Sequence, residues 1–345
     1  MPQRKGERSR RGRAWWWLAL LPVAAAVFLL LGWYAAARLD GPDETASEAS
    51  PAWRAAAEAQ RLAAEKLGVP VADTLDVGGA AMELALVPPG EFLMGSPDRE
   101  SCRDEDEGPQ RKVTLSRAFY LGAHEVTQEQ YQAVVGANPS DLVGPDHPVE
   151  QVSWHDAAAF CRALSARTGR VVRLPTEAEW EYACRAGSEG LYPFEQGSRH
   201  LHKHANYCER SNTDMLQWQD EYHDDGHDRT APAGSYPPNA WGLHDMPGNV
   251  WEWCADRYDP AWYARGATVD PPGPPAGAER VIRGGSWLNN AADCRSANRA
   301  GKDPARSSYA VGFRVVVEAP RGRAPGSQSG VMPPHSKALR QKAGK

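Results

Sequence analysis

The hydrophobic pattern changes character several times along the chain. From Ala14 to Ala37 there are 24 successive uncharged residues, enough at about 1.5 Å per residue to cross a hydrocarbon layer as one helix. Trp15, Trp16 and Trp17 stand at one end, and Trp33 and Tyr34 at the other, where interfacial aromatic belts belong. Residues 38–52 are polar and rich in Ala, Ser and Pro, which reads as a linker. Trp53, Ala57, Leu62 and Leu67 then recur near helical spacing and predict a short amphipathic helix. That helix either docks on the following domain, pairs with another chain, or stands as a semi-rigid stalk.

Beyond it the pattern shortens. Met82–Val87 reads as a strand, and residues 90–95, bounded by glycines, as a second one. Ser153 caps a helix running to about Thr168, and Thr176 caps another over Glu177–Arg185 with Glu179 at the capping-box position. No internal repeat of domain-building length is visible. With 32 glycines and 28 prolines, much of the backbone is expected to be irregular. The predicted organisation is a basic N-terminus (1–13), a transmembrane helix (14–37), a linker with a short helix (38–70), one folded domain (71–319) and a disordered basic tail (320–345).

Charge sharpens this reading. Residues 1–13 carry +5 and residues 320–345 carry +6, so the whole-chain balance of −5 leaves −16 for the residues between. The basic N-terminus favours retention in the cytoplasm and places the domain in the periplasm or outside the cell, on an inner-membrane single-pass anchor. A cleaved signal peptide ending near Ala35, Ala36 and Ala37 gives the same location. An acidic body argues against nucleic acid and suits cations or basic peptides, with simple solubility as the plain alternative. Six cysteines in an oxidising compartment permit up to three disulfides.

Several blocks carry denser information. In order they are Val87 to Phe92 with Met94-Gly95-Ser96, His124-Glu125-Val126-Thr127, Pro148-Val149 with Val152-Ser153-Trp154, the run Arg173 to Ala183, the run Gly242 to Trp253, Arg283-Gly284-Gly285-Ser286-Trp287, and Val311-Gly312-Phe313-Arg314. Read as chemistry, Arg173, Glu177, Glu179 and Glu181 point to a buried Arg–carboxylate network. Trp180, Trp251, Trp253 and Trp287 point to a core in which each indole needs a polar partner. His200, His202 and His204 alternate, so on a strand they would share a face and suit a transition metal; a solvated polar loop is the plainer reading.

Taken together the blocks resemble the formylglycine-generating enzyme (sulfatase-modifying factor) family over about residues 80–317. The resemblance implies an α+β fold of low regular secondary structure, related to C-type lectins. It implies one structural calcium site on Asp245, Gly248, Val250 and Glu252, and a second on Asn206, Tyr207, Asp225 and His227. Hard cations take six to eight oxygens from mixed carboxylate, amide and carbonyl donors, which both sets supply.

Family enzymes oxidise a substrate-peptide cysteine with oxygen, using two thiolates that hold copper(I), an ion suited to paired soft sulfur donors. The first of these thiolates, three residues after Ser286 in the family's cleft, falls on Asn289, and the second on Cys294. The resemblance also allows Cys294 to be a structural disulfide partner of Cys184; separately, Val315 stands where the family's other disulfide has its second cysteine, which leaves Cys161 without its expected mate. These features imply a non-oxidase binding or accessory protein for a peptide or protein outside the cytoplasm, with the active copper oxidase as the alternative.

Overall fold

In the computed structural model, which describes residues 50–194, 198–212 and 216–320, the chain enters through helix α1 (Pro51–Leu67). Ser50 Oγ caps it by accepting from the Trp53 amide at 3.2 Å, Pro51 supplies a pre-set first-turn φ, and Gly68 ends it at φ +67. Its buried stripe is Ala56, Gln60 and Ala64, small or amide side chains that allow close approach. Leu62, expected on the apolar face, is half exposed. Gln60 Nε2 donates to the carbonyls of Leu86 (2.8 Å) and Trp241 (3.0 Å), and the Trp241 indole donates to the Ala56 carbonyl (2.9 Å). The helix docks on the domain and does not stand off it as a stalk.

The expected basic N-terminus, membrane segment and the basic tail from residue 321 lie outside the described residues. Among the described residues, no helix is long and apolar enough to cross a membrane.

Among the described residues the domain mixes helices with three sheets. Strands β1 (Ala72–Asp76), β2 (Ala81–Val87), β5 (Phe119–Gly122), β6 (Val172–Arg173) and β11 (Val316–Glu318) form a five-stranded sheet in the order β1-β2-β5-β11-β6. Its register pairs Ala85 with Leu121 and Val316 with Leu121 and Arg173. Strands β3 (Gly90–Met94) and β4 (Arg111–Leu115) make a separate hairpin ladder. Strands β7 (Trp251–Arg257), β8 (Arg280–Arg283), β9 (Arg299–Lys302) and β10 (Val311–Gly312) form a four-stranded sheet in the order β10-β7-β8-β9. β2 and β3 fall where the apolar runs predicted strands.

Helices α2 (Gln128–Val135), α3 (Trp154–Thr168) and α4 (Glu177–Arg185) complete the fold. Ser153 and Thr176 cap α3 and α4 as predicted, each with the reciprocal capping-box bond from Asp156 or Glu179. The side chains Ala157, Phe160, Cys161 and Leu164 of α3 pack into one core cluster with Tyr131, Trp253 and Phe313.

Helix α4 is buried on every side, which its three glutamates could not tolerate without counter-charges. Glu177 takes the Arg299 fork at 2.6 and 2.9 Å. Glu181 takes Arg185 at 2.9 Å and also Arg283. Arg173 takes Glu179 through two bonds of 2.7 Å and lies 3.7 Å from Glu318. The carboxylate network is therefore present, but its cations come mostly from β8 and β9 rather than from Arg173. Trp180, Trp253 and Trp287 are buried and Trp251 is half-buried; all four indoles have acceptors, namely Glu252, the Val152 carbonyl, the Tyr309 carbonyl and Asn289.

Candidate functional site

Strand β8 runs into Gly284 and Gly285, both with left-handed φ (+100 and +75). A Cβ on Gly285 would lie 2.7 Å from Cys294 Sγ and 3.0 Å from the Asp293 carbonyl, so glycine is what lets this loop fold against the 3-10 turn Ala291–Cys294. The loop presents Ser286 and Asn289. Asn289 Oδ1 accepts from the Ser286 hydroxyl (2.6 Å) and the Trp251 indole (2.8 Å), and Asn289 Nδ2 donates to Asp293 (2.9 Å). Its amide closes the turn onto the Ser286 carbonyl at 2.9 Å. Both acceptor positions of this side chain are thus occupied by protein donors.

No two of the six cysteines are joined by a disulfide. The expected Cys184–Cys294 bridge is absent here, and Cys184 Sγ faces the Ser296 hydroxyl at 3.6 Å, two residues beyond Cys294. Burial pushes the Cys184 thiol up to about 11 and the Cys161 thiol up to about 12. Cys294 is also buried; burial raises its thiol above the ordinary range and the adjacent Asp293 raises it further. Cys208, which spacing alone could not place near this turn, donates its amide to the Asn289 carbonyl at 2.8 Å.

The first calcium candidate is rearranged. Glu252 Oε1 and Oε2 take the Arg314 fork at 2.7–2.9 Å, and the Trp180 indole also donates to Glu252 at 2.8 Å. This carboxylate is fully engaged. Asp245, at φ +53, accepts the Gly234 amide through Oδ2, while its Oδ1 is buried without a partner. Both carboxylate oxygens of Glu125 are buried without a partner as well. Burial, then Asp245, raises the Glu125 carboxyl well above the usual range, and burial pushes Asp245 up to about 6. Gly248 and Val250 lie on the buried turn leading to β7; a Cβ on Gly248 would strike the Asn206 carbonyl at 2.2 Å.

That contact joins the first set to the second. Asn206 Nδ2 donates to the Arg229 carbonyl at 2.7 Å, and its Oδ1 is buried without a partner. Asp225 accepts the His227 amide at 2.8 Å and the Tyr236 hydroxyl. The Tyr207 hydroxyl donates to Asp220 at 2.5 Å. Glu209, fully buried, accepts the Asp225 amide at 3.1 Å, and burial together with Asp225 pushes its carboxyl up to about 7.

Glu125 stands in one of the blocks but carries no assigned role there, and Glu209 carries no signal of its own. The signal for Glu125 is an acid beside His124, between the apolar residues of Phe119–Ala123 and Val126; for Glu209 the only signal is nearness in sequence to Asn206. Among the described residues, no group of three or more His, Cys, Asp or Glu side chains is arranged to hold a metal ion. A cation here must draw on amide and carbonyl oxygens, which is how hard cations are commonly held.

The alternating histidines do not share a face. His200 and His202 fall in a 3-10 turn, Ser198–Lys203. His202 stacks on His223 with ring centroids 3.8 Å apart, and His204 on Phe194 at 4.1 Å. His202 and His204 thus stack on different rings, and a cluster of three ligand side chains is absent among the described residues.

The Ser286–Asn289 turn reaches the surface between aromatics. Trp218, 52% exposed, donates its indole to the Leu288 carbonyl at 3.0 Å. Tyr309, 42% exposed, lies with its ring 5.7 Å from that of Trp287. The Arg229 guanidinium sits 5.9 Å above the Trp287 ring.

Residues 77–319 match the sulfatase-modifying factor enzyme 1-like domain. The chain is 43% identical over 300 residues to the formylglycine-generating enzyme of Streptomyces coelicolor, covering 68% of this chain and 88% of that one. It is 30% identical over 369 residues to the Bos taurus formylglycine-generating enzyme, covering 86% and 94%. Among solved structures, PvdO from Pseudomonas aeruginosa superposes with a TM-score of 0.62 at 31% identity, over 71% of this chain and 98% of that one.

Proposed function

This chain belongs to the sulfatase-modifying factor enzyme 1-like family, and we propose that within it the protein is a non-oxidase binding or accessory member. Its partner is a peptide or protein outside the cytoplasm, and the segment 14–37 anchors it to the membrane.

Asn289 carries this reading. The family's copper(I) chemistry needs two soft sulfur donors, and the position of the first holds an amide whose oxygen is already committed to Ser286 and Trp251. The residues here do not fit a two-thiolate copper site: Cys294 is buried in a setting that disfavours the thiolate, and the nearby charge is the anionic Asp293. The turn is fixed by hydrogen bonds and rimmed by the exposed Trp218 and Tyr309, as a contact surface for a partner requires.

Calcium is the cation that suits the remaining donors. Asp245 and Glu125 with the turn carbonyls of Gly248 and Val250 form one candidate set, and Asn206, Asp225 and the carbonyls of Tyr207 and His227 the other. The buried, unpartnered oxygens of Asp245, Glu125 and Asn206 support both. Such an ion would supply charge neutralisation and loop rigidity, while the arginine network fixes the rest of the domain.

The active-oxidase reading rests on the 43% identity to a relative that carries the enzyme's name. The deciding experiment incubates the purified protein with copper, oxygen and a cysteine-containing sulfatase peptide. No aldehyde product is expected. An aldehyde that forms with stoichiometric copper, and disappears in Cys294→Ala, would overturn the proposal.

A further inference from the structure

Cys208 and Cys294 are 86 positions apart in the chain, yet they belong to segments that lie side by side. The Cys208 amide donates to the Asn289 carbonyl at 2.8 Å, and Asn289 is tied through its side chain to Asp293, the neighbour of Cys294. Both cysteines are buried. Tyr207, adjacent to Cys208, packs in the same apolar cluster as Cys294, with Tyr192, Phe194, Leu201 and Ala205. The Cys208 sulfur is also near enough for its charge to act on the Cys294 thiol.

We propose that Cys208 and Cys294, not joined in this structure, become under oxidising conditions the partners of a structural disulfide that staples the 206–209 segment to the 286–294 turn. The Cys184 thiol is directed elsewhere, toward the Ser296 hydroxyl at 3.6 Å.

The surroundings select a disulfide over a bound soft metal. A thiolate pair would place negative charge among aromatic rings beside Asp293, a setting that penalises anions. A disulfide is neutral and suits apolar burial. Closure removes one proton and one electron from each thiol, forming one S–S bond. The oxidant is a small-molecule or protein disulfide of an oxidising compartment, whose own S–S bond breaks to give two thiols. With both sulfurs shielded, the bond is a staple and not a redox catalyst.

The test is a non-reducing peptide map of the full chain purified under oxidising conditions, with thiols alkylated in denaturant. The expected result is a Cys208 peptide linked to a Cys294 peptide, with Cys161, Cys184 and Cys254 alkylated without a reductant. Alkylation of Cys208 and Cys294 before reduction, or linkage of either to another cysteine, would overturn the assignment. As a second measurement, reductant should lower the denaturation midpoint of the wild type and leave that of a Cys208→Ala/Cys294→Ala variant unmoved. An equal loss in both proteins would also sink the pairing. A copper(I) ion recovered stoichiometrically with both sulfurs reduced would replace the staple by a metal site.

Discussion

The indole N–H of Trp251 donates to Oδ1 of Asn289 at 2.8 Å, joining the start of β7 to the turn that follows β8. The Ser286 hydroxyl and the Asp293 carboxylate complete the arrangement around the same amide. Replacing Asn289 by Ala leaves three polar groups in a half-buried setting without their partner. The expected cost is about 1–3 kcal/mol of stability, read as a lower urea midpoint with an unchanged slope. A variant indistinguishable from wild type would mean that water replaces the amide freely.

Arg314 and Glu252 form a buried pair in which both side chains are almost fully excluded from water. Arg314→Met leaves the Glu252 carboxylate with only the Trp180 indole. A loss of about 3–5 kcal/mol is expected from such an uncompensated charge. Adding Glu252→Gln should recover a substantial part, since the double change removes both charges. Denaturant unfolding of the two single variants and the double variant measures this directly, and additive losses would contradict it.

Asp256 is buried against the N-terminus of α4, where Oδ2 accepts the Glu177 amide at 2.9 Å. Burial, then Glu177, pushes its carboxyl up from 3.8 to about 8. A raised folded-state value means that the folded protein holds the proton more tightly than the unfolded chain. Its stabilising contribution is therefore complete below about pH 4 and falls as pH rises toward 8. Asp256→Asn keeps the acceptor and removes that dependence. Thermal melts from pH 4 to 8 should show a flatter stability profile for the variant; parallel profiles would refute the prediction.

The unpartnered oxygens of Glu125, Asp245 and Asn206 predict that calcium stabilises the folded domain. At calcium 100-fold above its dissociation constant, the gain should be about 2.7 kcal/mol per site, visible as a raised melting temperature that chelator reverses. Glu125→Gln should reduce the response while raising the melting temperature in chelator, because it removes a buried acid. A melting temperature insensitive to both calcium and chelator would mean that protons alone satisfy these groups.

Local features were legible before any coordinates. The capping residues Ser153 and Thr176, the runs that became β2 and β3, and the helix at Pro51–Leu67 all follow from interactions within a few residues of one another. The glycine-rich turn at 284–286 and the amide at Asn289 were equally plain, since they are matters of residue identity.

Partnerships across the chain were another matter. Nothing local announces that Glu177 takes its cation from Arg299, that Glu252 is claimed by Arg314, that Glu125 sits with Asp245, or that Cys208 lies against the 289–294 turn while Cys184 faces Ser296. A helix cap is decided by the backbone geometry of one turn. The partner of a buried polar group is decided by which distant segments pack around it, and each such group, once excluded from water, must bond to whatever the fold brings within reach. Sequence determined the locally encoded elements and the amide at position 289; only the tertiary arrangement determined which charges, amides and thiols meet.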